Sequence, residues 1–140
     1  KPSPDNREVF SLASRPVPED APGAIEAPFL VERDGYYYLF ASYDYCCRGT
    51  SSSYYMVVGR SRSITGPFVG RDGRSMMDGY GTLLLQGDRH YRGPGHNAYL
   101  KDDGSEYVVY HAYDAQKEGL ATLRISTVEW TQDGWPTVSL

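Results

Sequence analysis

The 140-residue sequence has no long apolar run, no basic cluster and little cysteine. No apolar stretch approaches the roughly 18–20 residues that a membrane helix needs, so no membrane association is predicted. No run of five basic residues occurs and the net charge is −4, which argues against a nucleic-acid surface. The chain begins at Lys1, without an initiator methionine or a signal peptide, and we expect it to be a processed product or a fragment.

The two cysteines, Cys46 and Cys47, are neighbours in the sequence. Adjacent Cα atoms lie about 3.8 Å apart, below the roughly 4.4–6.8 Å of a relaxed disulfide. The pair is therefore two thiols or a strained vicinal disulfide, and both alternatives stay open. Without a CxxC partner, the pair does not predict a zinc site.

The residues that are abundant predict an all-β protein with short strands. There are 15 glycines, 9 prolines and 13 tyrosines, and no segment has a useful helical periodicity. Asp-Gly turn signals follow several of the apolar segments. The predicted strands are Val9–Ala13, Ala27–Glu32, Tyr36–Tyr43, Tyr54–Ser61, Pro67–Val69, Thr82–Leu85, Asn97–Lys101, Glu106–Tyr113, Ala121–Thr127 and Thr137–Leu140.

The sequence repeats itself at an offset of 70 residues, since residues 26–44 resemble residues 96–114. Each copy continues into a third strand and then a short fourth strand, at 66–68 and 134–136. Four strands per repeat are typical of a β-propeller blade; two hairpins in a sandwich are the alternative. We predict blades at about 24–70 and 95–140, with Val9–Ala13 as the outer strand of a preceding blade. The chain would then be the C-terminal part, 1–140, of one larger propeller domain.

The repeat places Glu26 and His96 at the same position, before the first strand of each copy. If first strands are innermost, both side chains lie at one mouth of the central channel. Glu26 has apolar neighbours, which predict the partial burial that suits a general acid. His96 follows Gly93-Pro94-Gly95, a loop that allows the backbone to approach something closely. A solvated glutamate and a structural histidine are the alternatives.

Other polar residues are interpreted by comparing the two copies. The loop Cys46-Cys47-Arg48-Gly49 occurs in the first copy only, so we predict that Cys47 and Arg48 bind substrate. Arg124 lies in an apolar third strand, where an inward side chain would need a carboxylate or ligand partner. It is a third predicted substrate-binding residue, although strand alternation equally permits an outward side chain.

Four further residues are given structural interpretations. Asp44 and Asp114 recur after the second strand of each copy and are predicted to cap turns. His90 and His111 lack a comparable context and are predicted to be surface or packing residues.

Several motifs together resemble a known family over nearly all of residues 24–140. They are Ile25-Glu26-Ala27-Pro28-Phe29, Tyr43-Asp44-Tyr45-Cys46-Cys47-Arg48-Gly49, Val58-Gly59-Arg60-Ser61-Arg62-Ser63-Ile64-Thr65-Gly66-Pro67-Phe68, Gly73-Arg74-Ser75-Met76-Met77 and Gly93-Pro94-Gly95-His96-Asn97. In order and spacing they resemble the endo-1,5-α-L-arabinanases of glycoside hydrolase family forty-three. The Cys-Cys-Arg-Gly loop favours arabinanases over the xylosidases and arabinofuranosidases of that family.

The resemblance implies a five-bladed propeller that hydrolyses α-1,5-linked L-arabinan with inversion. It maps the general acid onto Glu26, and it places His96 near a calcium ion in the channel. The family's general base and a second aspartate have no matching motif here, so the chain alone is expected to be inactive. Inverting hydrolysis needs an acid and a base about 6.5–9.5 Å apart, with water between them.

The expected partners are arabinan or arabino-oligosaccharide and the N-terminal blades of the propeller. An extracellular or periplasmic location is expected. The alternatives are an exo-acting arabinofuranosidase or β-xylosidase of the same family, and a non-catalytic sugar-binding propeller fragment.

Overall fold

The computed structural model describes residues 8–19 and 21–140, and their regular structure is β-sheet with three short 3-10 turns. The first antiparallel sheet has the order β1-β2-β3-β4, and the second has the order β5-β6-β7. The strands are β1 Ile25–Arg33, β2 Tyr36–Tyr43, β3 Tyr55–Ser61, β4 Thr82–Leu85, β5 Tyr91–Asp102, β6 Ser105–Asp114, β7 Leu120–Thr127, β8 Glu129–Trp130 and β9 Pro136–Thr137. The all-β prediction is confirmed. Within the described residues no helix is long and apolar enough to cross a membrane.

Two Asp-Gly turns close the two long hairpins, as predicted. Asp34 and Gly35 have φ values of 51° and 72°, and Asp103 and Gly104 have φ values of 44° and 77°. Two consecutive positive φ values are the signature of a type I′ turn, whose twist matches that of the flanking strands. The local sequence therefore fixes where both hairpins turn.

The main core lies between the two sheets. Buried residues of β2, β3 and β6 form one cluster across this interface, and β5 contacts β1, β2 and β3. The buried members include Tyr38, Phe40, Met56, Val58, Val108, Tyr110, Ala112 and Trp135. Two neighbouring meanders with adjacent first strands are the arrangement of successive propeller blades, which is the predicted fold class.

The opposite face of the first sheet carries a second core, made by Leu39, Ala41, Tyr43, Val57, Phe68 and Met76. Leu12 and Ala13 pack against it, and Ser14 N–H donates to the carbonyl of Met76 at 2.9 Å. Residues 9–13 form no strand, so the predicted outer strand Val9–Ala13 is wrong. Leu12 and Ala13 pack on this core, whereas Val9 and Phe10 are exposed.

The fourth strand of the first sheet comes from Thr82–Leu85 and not from the predicted Pro67–Val69. Val69 makes only isolated bridges, to Arg60 and to Ser75. Pro67 has no N–H to donate, which weakens this segment as a strand. The sheet consequently extends to Leu85, beyond the end predicted near residue 70.

The second repeat also lacks the predicted fourth strand. Its C-terminal segment forms a separate two-stranded hairpin, β8–β9, which does not pair with β7. Trp130 and Trp135 instead turn inward and contact the ring of Tyr38 in the first sheet. Packing these two indole rings against the first sheet stabilises the fold more than a fourth strand in the second sheet would.

Candidate active site

A β-bulge interrupts the first strand of each hairpin at the same distance from the turn. The pairing shifts between Glu26 and Phe29 in β1, and between Gly95 and Ala98 in β5. Ala27 and His96 occupy the bulges with φ values of 51° and 57°. Counted from the turns, His96 is therefore equivalent to Ala27, and Glu26 is equivalent to Gly95.

The predicted equivalence of Glu26 and His96 is thus wrong by one residue. The structural offset between the hairpins is 69, because Arg33↔Tyr36 and Asp102↔Ser105 are the pairs that flank the two turns. A slip of one residue exchanges the two faces of a strand, so the distinction matters. The bulges nevertheless bring both side chains to the same region of the molecule.

Glu26 is exposed in the described chain, so its predicted partial burial is wrong. Strand alternation gives the inward position to Ile25, which packs against the second core. The carboxylate has one close partner, since the Tyr54 hydroxyl donates to Glu26 Oε2 at 2.9 Å. Burial of Tyr54, helped by this hydrogen bond, raises the pKa of its hydroxyl, which keeps it a proton donor.

Close contacts with Tyr54 and Ser52 explain the two glycines before His96, Gly95 and Gly93. A Cβ atom on Gly95 would lie 2.2 Å from Cδ1 of Tyr54, and one on Gly93 would lie 2.5 Å from Cβ of Ser52. Both distances are far below van der Waals contact, so only glycine fits at these positions. The predicted close approach is therefore correct, with the ring of Tyr54 as the group approached, but residues 93–95 belong to β5 and not to the predicted loop.

His111 joins these residues into one cluster. Its ring is parallel to that of Tyr54, with centroids 5.8 Å apart and planes inclined by 14°, and the His96 ring lies 6.3 Å away. Burial, with a smaller contribution from His96, lowers the pKa of His111. His111 was predicted to be a surface or packing residue, and its place beside Glu26 was missed. Counting the register back from the Asp103-Gly104 turn pairs His111 with His96, and the bulge shifts its partner to Gly95, so counting places His111 in this region but misses its exact partner.

Cys46 and Cys47 form a vicinal disulfide, the second of the two alternatives left open by the sequence. The Cys47 N–H donates to the hydroxyl of Tyr113 at 2.7 Å, and that hydroxyl lies 3.3 Å from Nε2 of His111. Arg48 lies over the ring of Tyr45, with Cζ 4.3 Å from the centroid. The disulfide loop of the first sheet is thus tied through the second sheet to the cluster around Glu26.

Arg124 lies apart from this cluster. Its neighbours Leu123 and Ile125 are exposed, so strand alternation turns Arg124 toward the packed face. There its guanidinium covers the ring of Tyr91, with Cζ 3.6 Å from the centroid. Among the described residues, no hydrogen bond or ring contact joins Arg124 to Glu26 or His96.

The two repeated aspartates have different partners. Asp114 accepts a hydrogen bond from the N–H of Gln116 at 3.0 Å, which is the predicted turn cap, and it also lies 3.1 Å from Nε2 of His90. Asp44 instead forms an ion pair with Arg15, 3.1 Å long. Neither carboxylate belongs to the cluster around Glu26.

The described residues do not form a metal site by themselves. Within 8–19 and 21–140, no three His, Cys, Asp or Glu side chains are grouped so that they could hold an ion. His96 offers an imidazole nitrogen, whereas calcium prefers oxygen ligands. The predicted calcium role of His96 therefore stays a prediction.

Comparisons with known proteins agree with the fold. Residues 5–136 match the glycosyl hydrolases family 43. An extracellular endo-α-(1→5)-L-arabinanase of Bacillus subtilis is 42% identical over 129 residues, which are 92% of this chain and 38% of that protein. An extracellular exo-α-(1→5)-L-arabinofuranosidase of Cellvibrio japonicus is 46% identical over 114 residues, which are 81% of this chain and 33% of that protein.

Solved structures give the same result. The Cellvibrio cellulosa α-L-arabinanase complexed with arabinohexaose has a TM-score of 0.85 at 43% identity, covering 93% of this chain and 43% of that one. An exo-1,5-α-L-arabinanase from a bovine ruminal metagenomic library has a TM-score of 0.89 at 40% identity, covering 96% and 45%. The chain thus spans less than half the length of these relatives and has the fold of part of their five-bladed propeller. It belongs to glycosyl hydrolase family 43.

Proposed function

We propose that this chain supplies two blades of an arabinan-degrading glycoside hydrolase in which Glu26 is the general acid. The observation that carries the proposal is the exposed Glu26 carboxyl, which is held at a strand bulge by the hydroxyl of Tyr54. The names of the relatives support arabinan as the substrate class, since they include endo-arabinanases and an arabinanase complexed with arabinohexaose.

In the proposed reaction Glu26 gives its proton to the glycosidic oxygen as the bond to the anomeric carbon breaks. A carboxylate on another part of the propeller takes a proton from water, which attacks the opposite face of the sugar ring. Inversion requires about 6.5–9.5 Å between the two carboxyl groups to leave room for that water. The channel between blades would provide this spacing, and the 140-residue chain without the second carboxylate would show no turnover.

The disulfide loop is the proposed substrate-binding element of this chain. Cys47 and Arg48 lie in a loop tied to the cluster around Glu26 through Tyr113, which favours a position beside the sugar. Arg124 stays a prediction, because its described contact is with Tyr91. Kinetics of Arg48→Ala and Arg124→Ala would separate them, with the KM for arabinan rising for the first variant and stability falling for the second.

Calcium and secretion belong to the proposal as secondary parts. His96 is exposed and could give one ligand, while oxygen ligands would have to come from water or from other blades. Metal analysis of the complete enzyme and of its His96→Ala variant would test this assignment. Two relatives are named extracellular, and a disulfide is typical of an oxidising compartment. Fractionation of the producing cells would test the location.

An exo-acting enzyme is the second candidate, favoured by the exo-acting relatives. Product profiles on linear arabinan distinguish the two modes. Oligosaccharides as the first products indicate endo action, and monosaccharide alone indicates exo action.

The central experiment is Glu26→Gln in the complete enzyme. Loss of a general acid lowers activity on arabinan by about 10²–10⁴-fold. Aryl arabinofuranosides, whose leaving groups need little protonation, should lose much less. Glu32→Gln is the matched control, because Glu32 is an exposed carboxylate on the same strand whose described partner is the N–H of Gly35. Equal loss on both substrate types would contradict the assignment.

A further inference from the structure

Glu26 combines an exposed carboxyl with a buried partner. The Tyr54 side chain is 1% exposed, and its hydroxyl lies 2.9 Å from Oε2 of Glu26. A solvent-exposed glutamate normally samples several rotamers, so a hydrogen bond from an immobile hydroxyl restricts where its carboxyl lies. Proton transfer to a leaving group depends on such placement.

Packing explains why Tyr54 is immobile. Gly95 leaves room for its ring, since any Cβ there would lie 2.2 Å from Cδ1. His111, the cross-strand partner of Gly95, lies parallel to the same ring at a centroid distance of 5.8 Å. The second sheet therefore leaves space for the Tyr54 ring at Gly95 and packs the His111 ring against it. This packing holds Tyr54 next to Glu26 of the first sheet.

Hydrogen bonds in turn hold His111. The hydroxyl of Tyr113 accepts from the Cys47 N–H at 2.7 Å, which leaves its own proton free for Nε2 of His111 at 3.3 Å. A neutral imidazole that carries its proton on Nδ1 can accept this hydrogen bond at Nε2. The disulfide loop, Tyr113, His111 and Tyr54 thus form a continuous set of contacts that ends at Glu26.

We propose that Tyr54 and His111 are positioning residues for Glu26, with Tyr54 orienting the carboxyl directly and His111 fixing the ring of Tyr54. The inference rests on the proposed general-acid function and adds the residues through which the second blade controls it. Among the described titratable groups, Tyr54 is hydrogen bonded to Glu26 and His111 interacts with its charge, while His96 lies beside His111.

The test is Tyr54→Phe in the complete enzyme, which keeps the ring and removes the hydroxyl. A hydrogen bond to a charged group is worth about ten- to a hundredfold in rate, so kcat/KM on arabinan should fall by that factor. Aryl arabinofuranosides should lose less than arabinan. The kcat/KM profile over pH gives a second readout, because loss of this hydrogen bond should change the profile as well as the rate.

Tyr43→Phe is the matched control, because Tyr43 is also 1% exposed and its hydroxyl donates one 3.0 Å hydrogen bond, to the carbonyl of Tyr80. It should change neither the substrate dependence nor the pH profile. His111→Ala should lower arabinan activity, and His111→Phe, which restores a ring against Tyr54, should recover part of it.

The positioning role is overturned if Tyr54→Phe matches Tyr43→Phe in rate and pH profile, or if it slows all substrates equally. Glu26→Gln on the same substrates separates the two levels of the argument. If Glu26→Gln shows the expected leaving-group dependence and Tyr54→Phe does not, the positioning role alone is wrong. If Glu26→Gln shows none, the proposed function fails and this inference fails with it.

Discussion

Each of the two sheets begins with a hairpin of the same form, but different residues lie at the bulge of each hairpin. Both hairpins turn at Asp-Gly with two positive φ values, and both shift register at the same distance from that turn. The first sheet has Glu26-Ala27 there, whereas the second has Gly95-His96. A bulge redirects side chains, so the repeated backbone provides one position that each blade fills with different chemistry.

The loops that follow the second strands differ in the same way. After β2 the chain forms the disulfide and the 3-10 turn Gly49–Ser51, and after β6 it forms the turn Ala115–Lys117, capped by Asp114. The two loops pack together, since a Cβ on Gly119 would lie 2.8 Å from the nitrogen of Thr50. Matching loops of neighbouring blades thus meet, and only the first carries the disulfide.

Burial distinguishes the sheets as well. The first sheet has a core on each face, while β7 of the second leaves Leu123 at 80% and Ile125 at 58% exposure. The described chain is therefore most rigidly packed around β2 and β3. The residues of the cluster lie where this rigid sheet meets the second one.

Gly95→Ala should cause the largest loss of stability, because it places a side chain at the position of the second sheet that is equivalent to Glu26. Its Cβ would overlap the ring of Tyr54, and overpacking of this kind costs about 3 kcal/mol. Denaturant unfolding of the complete protein measures the loss. Gly73→Ala is the control, with open space around its Cβ and a positive φ, and it should cost about 1 kcal/mol. Equal costs would show that steric overlap with Tyr54 is unimportant.

Glu106→Gln should cause the next largest loss of stability. Glu106, beside the second turn, forms an ion pair with Arg33, beside the first turn, with Oε2 and Nη1 3.0 Å apart. Loss of hydrogen bonds between charged groups costs about 2 kcal/mol. Burial alone would raise the pKa of Glu106, but hydrogen bonds from Lys101 and Trp130, with the charge of Arg33, lower it below 4.5. The carboxylate therefore stabilises the folded state above pH 4.5, and the benefit disappears as pH falls through its lowered pKa.

Unfolding free energies of the wild type and Glu106→Gln, measured over this pH range, check the expectation. The difference between the two proteins should shrink with acid. Asp133→Asn removes an exposed ion pair with Arg71 and should have little effect on stability, because solvent screens such pairs. A difference that is independent of pH would contradict the role of the Glu106 carboxylate.

His111→Phe should have the smallest effect on stability. His111 pairs with Gly95 in the second sheet, and the residue equivalent to His111 in the first sheet is Ser42. Burial lowers the pKa of His111 below 6.5, so below that pH the unfolded chain gains a proton that the folded one resists. The wild type should lose stability as pH falls from about 6.5, and His111→Phe should lose less. Ser42→Ala, which changes no titratable group, should leave the slope unaltered. Identical slopes for His111→Phe and the wild type would refute the expectation.

The sequence determined the features that depend on neighbouring residues. Tyrosine-rich alternation predicted most of the strands, and Asp34-Gly35 and Asp103-Gly104 predicted the two hairpin turns. The order and spacing of the motifs also indicated the family. Gly93 and Gly95 signalled a close approach, although their sequence did not show which ring fills the space.

Tertiary structure alone decided which strands pair, in what register, and which side chains converge. The similarity of the repeats gave an offset of 70, whereas hydrogen bonding across the hairpins gives 69, which is also the spacing of the two Asp-Gly turns. The fourth strand of the first sheet comes from beyond the segment predicted for it, since pairing depends on where a distant segment returns. His111 reaches Tyr54 for the same reason: a contact between residues 57 positions apart depends on how two sheets pack, which no local pattern records.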